Sequence, residues 1–131
     1  MRTFPGKCVL IVDDMKLARL RVRKVCEDMG FYPISEAASG AEAWQGIGDL
    51  RVKPDLILTD YNMPDMNGIQ FLERVRKHEE ISGVPVIFIT SEGEKELIIT
   101  AVSLGVTDFV VKPFADHLLV EKIQSVMTRK K

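Results

Sequence analysis

Short, continuous apolar runs alternate along this chain with segments whose apolar residues are spaced three or four apart. Cys8 to Val12, Leu56 to Leu58, Val84 to Ile89 and Phe109 to Val111 are rich in β-branched residues, and each stops at polar, Gly or Pro positions. Unbroken rather than alternating hydrophobicity is what a strand covered on both faces requires, so these runs predict central strands of a parallel sheet. Tyr32 to Ala38 is more mixed and carries Pro33, which has no N–H for a central ladder and suits an edge strand. Helical spacing joins Ala18, Val22, Val25 and Met29; Ala43, Ile47 and Leu50; Ile69, Leu72 and Val75; Ile98, Ala101 and Val102; and Leu119, Ile123 and Val126. Ser39 and Glu42 have the spacing of a capping box for the second helix, and Gly30 and Gly105 fall where the first and fourth helices should end.

The order is strand then helix, five times over: an α/β chain whose right-handed crossovers put helices on both faces of one parallel sheet. In such sheets ligands lie beyond the carboxyl ends of the strands, near the point where strand order reverses. The residues at those ends are Asp13 and Asp14 after the first strand, Asp60 at the third, Thr90 and Ser91 after the fourth, and Lys112 and Pro113 after the fifth. Three carboxylates, a hydroxyl and an ammonium converge on one rim.

Composition narrows the class. With 131 residues, 46% hydrophobic and 28% charged, the chain has the profile of one globular domain. A domain of this size buries roughly two thirds of its unfolded surface and needs neither disulfide nor structural metal. Cys8 and Cys26 lie in apolar stretches and read as small buried thiols of a reducing cytoplasm rather than as a bridge. No apolar run approaches the roughly 18 residues of a membrane span, and the polar start at Met1 leads straight into a strand. Eighteen basic against nineteen acidic side chains leave a formal net charge of −1, which gives no global positive field for nucleic acid. The basic end, Thr128 to Lys131, reads as a solvated terminus.

The acidic pair Asp13 and Asp14, taken alone, is as well explained by a turn or a helix N-terminal cap. Asp60 on the neighbouring strand changes this, because three close carboxylates must protonate or recruit a cation. With oxygen ligands only, and no thiolate or histidine nearby, the natural cation is Mg²⁺, which keeps waters for a phosphate to displace. Asp60 is then a candidate nucleophile toward phosphorus, with Lys112 balancing the incoming charge and Thr90 donating a hydrogen bond. Lys112 fits equally an inert salt bridge to Asp60. Gly46 to Arg51 is a near miss to a dinucleotide loop but falls in or at the end of a helix, and His78 and His117 belong to surface helices without partners at metal spacing.

Val12-Asp13-Asp14, then Asp60-Tyr61-Asn62-Met63-Pro64-Asp65-Met66-Asn67-Gly68, Ile89-Thr90-Ser91, and Phe109-Val110-Val111-Lys112-Pro113-Phe114 resemble, in this order, the signatures of response regulator receiver domains, and among them the CheY-like, chemotaxis-type single-domain regulators. The resemblance implies a flavodoxin-like, CheY-like sheet of order 2-1-3-4-5 over one receiver domain, residues 1–131. It implies that Asp60 takes a phosphoryl group from a histidine kinase, that Asp14 binds Mg²⁺ directly with Asp13 assisting, partly through water, and that the Asn62 backbone carbonyl completes the protein ligands. Thr90 and Lys112 would contact the phosphoryl group, Lys112-Pro113 would be cis, and Gly68 would serve the tight turn into the third helix.

Phe109 occupies the position of the family's aromatic switch, although it is equally placed to be a core residue of the fifth strand. CheY itself has tyrosine there; phenylalanine keeps the rotating ring but lacks the hydroxyl, which puts in doubt any partner contact made through it. The output surface implied is the face of the fourth helix, fifth strand and fifth helix, with Lys95, Ile98, Phe109 and Lys122 at positions that resemble those meeting the flagellar motor switch protein. Asn62 and Glu92 match the positions that govern how water reaches the phosphoryl group, and their polar character implies a short-lived phosphate. The implied protein is cytoplasmic, a monomer when unphosphorylated, and not an enzyme beyond its own phosphorylation and dephosphorylation; it binds neither nucleic acid nor membrane. Its start at Met1 and its basic end favour a stand-alone regulator, the alternative being a receiver excised from a DNA-binding or enzymatic regulator. A haloacid-dehalogenase-type phosphatase is more remote, since Asn62 stands where that family's second carboxylate would be.

Overall fold

Residue parity along the strands decides which helices cover which face of the sheet. A computed structural model describes residues 2–48, 53–63, 65–91 and 95–129. In β1 (Val9–Val12), β3 (Leu56–Asp60) and β4 (Val86–Thr90) every residue is buried, as two-sided covering demands. Val9, Ile11, Leu58 and Ile89 point to one side, where they meet Val22 and Cys26 of α1 (Lys16–Asp28) and Leu119 and Ile123 of α5 (Asp116–Thr128). Leu10, Val12, Ile57 and Phe88 point to the other, against Ile47 of α2 (Gly40–Gly48), Leu72 of α3 (Gly68–Lys77) and Ala101 of α4 (Lys95–Ser103). Two apolar cores thus sandwich one sheet.

The five strands, with β2 (Ile34–Ala37) and β5 (Asp108–Val111), run parallel in the order β2-β1-β3-β4-β5. The reversal of order lies between β1 and β3, so Asp13 and Asp60 end neighbouring strands. The mixed segment with Pro33 is an edge strand, as its composition predicts. Pro33 gives the ladder only an acceptor, its carbonyl taking the Val9 N–H at 3.2 Å, and both Tyr32-Pro33 and Lys112-Pro113 are cis. The fourth strand begins at Val86 rather than Val84 because Pro85 has no N–H to donate; its carbonyl still accepts from Ile57 at 2.9 Å.

Gly30 (φ 85°) and Gly105 (φ 91°) adopt the left-handed conformation just past α1 and α4, the positions the sequence assigned to helix ends. Ser39 and Glu42 form half of the predicted box: Ser39 Oγ accepts the Glu42 N–H, but the Glu42 carboxylate reaches past the cap to the N–H of Ala38. The full capping box is on α3, between Asn67 and Gln70. Gly68 is needed for close approach rather than for an unusual turn: a Cβ there would lie 3.0 Å from Tyr61 Cα and 3.3 Å from the Asp60 carbonyl oxygen. On α4 the apolar stripe is rotated from the predicted one. Ala101 is buried, whereas Val102 is exposed. Leu50, predicted for the stripe of α2, lies outside the described residues.

Candidate functional site

The chain leaves β1 at a residue held on several sides. The Asp13 N–H donates to the Ala37 carbonyl of β2 at 3.1 Å, and Asp13 Oδ1 accepts the Met15 N–H at 2.9 Å, which turns the backbone toward α1. Asp13 is buried and Asp14 exposed. Asp60, the last residue of β3, is buried as well, with the Asn62 N–H 3.4 Å from its Oδ1. One carboxylate oxygen each from Asp13, Asp14 and Asp60 lie within 4.8 Å of one another. The three acids singled out along the chain are therefore brought together in space.

Lys112 completes the rim from β5. Its Nζ lies 3.1 Å from Asp13 Oδ2 and 3.5 Å from Asp60 Oδ2, while its N–H donates to the Thr90 carbonyl at 2.7 Å. Burial pushes the Asp60 carboxyl above its ordinary pKa; Lys112 opposes this, the charge of Asp13 adds to it, and the amides of Asn62 and Tyr61 oppose it again. One ammonium cannot balance three carboxylates. The donor set is all oxygen, with one acid open to solvent, and such a set fits a hard divalent cation rather than a thiophilic one.

Thr90 ends β4 and is buried. Together with Phe88, Ile98, Ala101 and Phe109 it lines a small apolar pocket under α4, so Thr90 and the aromatic residue border the same space. Phe109 is half-buried, and Lys122 Nζ stands 5.8 Å from its ring centroid. On the α4–β5–α5 face Lys122 is paired with Asp108 at 3.0 Å, Ile98 is half-buried at the border of the pocket, and Ile99 and Val102 are the exposed large apolar residues of α4. Glu92 and the side chain of Lys95 lie outside the described residues, as do Pro64 and the last two lysines of the basic end.

The sequence reading passed over two features beside the rim. Arg19 donates from Nη1 to the Asp13 carbonyl at 2.6 Å. Its signal is position, since helical side chains lean toward the N-terminus and a basic residue in the first turn reaches back over the preceding loop. The other is an apolar groove of about 480 Å³ bounded by Ala18, Val22, Ile89, Pro113 and Phe114, with Asp13 and Lys112 at its edge. Cys26 is buried, its thiol pushed up to about 12, and Cys8 is only partly covered; both are free. His78 caps α3 against Trp44 and His117 is exposed on α5.

Among the described residues no helix is long and apolar enough to cross a membrane. The family described as response regulator receiver domain matches residues 9–124. The chain is similar to chemotaxis protein CheY1 of Helicobacter pylori, 36% identical over 91% of this chain and 95% of the relative. It is also similar to chemotaxis protein CheY-3 of Vibrio cholerae, 39% identical over 92% of each. Among solved structures, the chemotaxis response regulator CheY4 of Vibrio cholerae superposes with a TM-score of 0.83 at 31% identity, over 92% of this chain and 98% of the other. A CheX-CheY-BeF3-Mg complex from Borrelia burgdorferi gives 0.86 at 28% identity, over 95% and 92%. Strand order, the acid cluster at the point of reversal, and these similarities over nearly the whole length agree: the chain belongs to the response regulator receiver domain family, the phosphorylation-dependent switches of two-component signalling.

Proposed function

We propose that residues 1–131 are a single receiver that takes a phosphoryl group from a histidine kinase onto Asp60, with Mg²⁺ held by Asp13, Asp14, Asp60 and the Asn62 backbone carbonyl. The observation that carries this reading is the meeting of three carboxylate oxygens within 4.8 Å, with the Lys112 ammonium 3.5 Å from Asp60. A bound Mg²⁺ would supply charge neutralisation for the phosphoryl oxygens. An Asp60 oxygen attacks phosphorus, the bond from phosphorus to the donor nitrogen breaks, and the imidazole of the donor recovers a proton. Lys112 turns from the acids to a phosphoryl oxygen, and Thr90 donates its hydroxyl to another. The name of the Borrelia burgdorferi complex pairs a CheY with BeF3 and Mg, which supports a Mg²⁺-dependent reading for this chain.

The donor has to bring its phosphohistidine to Asp60, so its contact surface must adjoin the rim. Met15, Leu17 and Leu20 are exposed apolar residues at the start of α1, the helix whose Ala18 and Val22 line the groove beside Lys112. This apolar collar suits an amphipathic helix of the kinase. For output, the family resemblance points to the α4–β5–α5 face and a motor-switch type of partner, a role in keeping with the chemotaxis names of the relatives. Ile99 and Val102 give that face its apolar contact, and Phe109 couples it to Thr90. This reading places the domain in the cytoplasm and makes it a switch rather than a turnover enzyme.

The test is phosphorylation by acetyl phosphate with Mg²⁺, followed by mass spectrometry. The parent should gain one phosphoryl group, labile to base, and Asp60→Asn should gain none. Full labelling of that variant at another residue would overturn the assignment.

A further inference from the structure

The loop carrying Asp13 and Asp14 is fixed from outside the rim by a cation that touches neither carboxylate in any described contact. Arg19, one turn into α1, donates from Nη1 to the Asp13 carbonyl oxygen at 2.6 Å and from Nε to Glu36 Oε1 at 3.1 Å. Arg23 Nη1 holds the other Glu36 oxygen at 2.7 Å, so the carboxylate that orients Arg19 is itself anchored on β2 and α1. The Asp13 N–H and Oδ1 are already engaged by Ala37 and Met15, and Oδ2 by Lys112. Its carbonyl is the group that remains, and that carbonyl belongs to the planar peptide joining Asp13 to Asp14. A hydrogen bond to that oxygen restrains the peptide plane, which carries the Cα atoms of both acids, and so narrows the range of positions from which the Asp14 side chain can leave the chain.

We infer that Arg19, oriented by Glu36, is a positioning residue for the divalent-cation site: it pins the Asp13–Asp14 peptide so that both carboxylates face Asp60. This rests on the Mg²⁺ reading given above. Outer partners of metal ligands commonly change affinity by about 10- to 100-fold when removed. A purely electrostatic role has the opposite sign. A guanidinium near three acids repels a second cation, so its loss would tighten Mg²⁺ binding, whereas loss of a positioning contact weakens it.

The experiment is an NMR titration of the full chain with Mg²⁺ alone, for the parent, Arg19→Met, Arg19→Lys and Glu36→Gln, with thermal unfolding in metal-free buffer alongside. Arg19→Met should raise the Kd for Mg²⁺ about tenfold. Glu36→Gln should raise it less, and Arg19→Lys should recover part of the loss, because an ammonium reaches the carbonyl but cannot bridge to Glu36 as well. Parent-like or tighter binding by folded Arg19→Met overturns the inference; should that variant not fold, parent-like binding by Glu36→Gln overturns it. A parent that binds no Mg²⁺ at millimolar concentration overturns the metal reading itself, and the inference with it.

Discussion

The Lys112 ammonium is paired more closely with Asp13 than with Asp60, at 3.1 Å against 3.5 Å. It is thus a resident cation for the acid cluster, in the region a divalent ion would neutralise. The proposed phosphorylation calls for the opposite arrangement, with Lys112 turned to a phosphoryl oxygen. Lys112→Met should then separate two properties. Its Mg²⁺ affinity should rise on the order of tenfold, as expected if about 1.4 kcal/mol of competition is removed. Its rate of labelling by acetyl phosphate should fall by about two orders of magnitude, the usual loss when a charge-stabilising donor is deleted. Titration and labelling on one preparation check both; a fall in both would show that Lys112 does not compete for the cluster.

Asp60 carries a stability cost with a definite sign. Its carboxyl is raised from 3.8, chiefly by burial. Between the unfolded and folded pKa values the folded chain keeps a proton that the unfolded chain has released, so stability falls as pH rises through that window and the cost is fully present above it. Asp60→Asn removes the charge. In metal-free buffer at pH 7 the variant should unfold at a higher temperature than the parent, at roughly 4 °C per kcal/mol for a domain of this size. The gap should narrow as pH is lowered toward about 4, and Mg²⁺ should raise the parent's midpoint but not the variant's. Calorimetry over pH reads each of these outcomes, and a parent more stable than the variant at pH 7 would contradict them.

What was legible along the chain was whatever depends on period and order. Leu10 and Ile11 announce a two-sided strand by being apolar in succession, and the alternation of elements leaves few sheet orders open. The acids of the rim were legible because each follows a strand, a position that the fold turns into proximity. Less visible was rotation about a helix axis. Ile98 and Val102 are both apolar and four residues apart, yet one is half-buried at the pocket that Phe88 and Phe109 also line and the other is exposed. Pairing across distant segments was equally hidden. Lys122 meets Asp108 through the packing of α5 on β5, and Arg19 meets Glu36 across α1 and β2; no local pattern in either segment names its partner.

The apolar collar on α1 makes a prediction that distinguishes two phosphodonors. Leu17 is 78% exposed, so Leu17→Ser should change stability by less than about 0.5 kcal/mol. A small donor such as acetyl phosphate needs only the rim, and its labelling rate should be unchanged. On the proposed docking at the collar, the transfer rate from a histidine kinase should fall about tenfold, the equivalent of one lost apolar contact of about 1.4 kcal/mol. Stopped-flow transfer from a phosphorylated kinase, run beside acetyl phosphate, makes the comparison. Equal slowing with both donors would place the effect of Leu17 in the rim instead.

The lifetime of the phosphoryl group turns on access for one water. That water must approach phosphorus opposite the Asp60 oxygen, and the family resemblance puts Asn62 and Glu92 beside its path. Asn62 ties Asp60 through its backbone N–H, 3.4 Å from Oδ1, while the residue itself is exposed. A side-chain substitution therefore leaves the contact to the acceptor in place and alters only what the water meets. Asn62→Leu puts an apolar group there, which neither orients nor stabilises a nucleophilic water, and phosphate loss should slow about tenfold for a barrier increase of about 1.4 kcal/mol. On the same resemblance, Glu92→Ala should slow it as well. Following the decay of Asp60 phosphate after the donor is removed, in the presence of Mg²⁺, gives the three rates. A parent that loses phosphate no faster than either variant would mean that these positions do not set the clock.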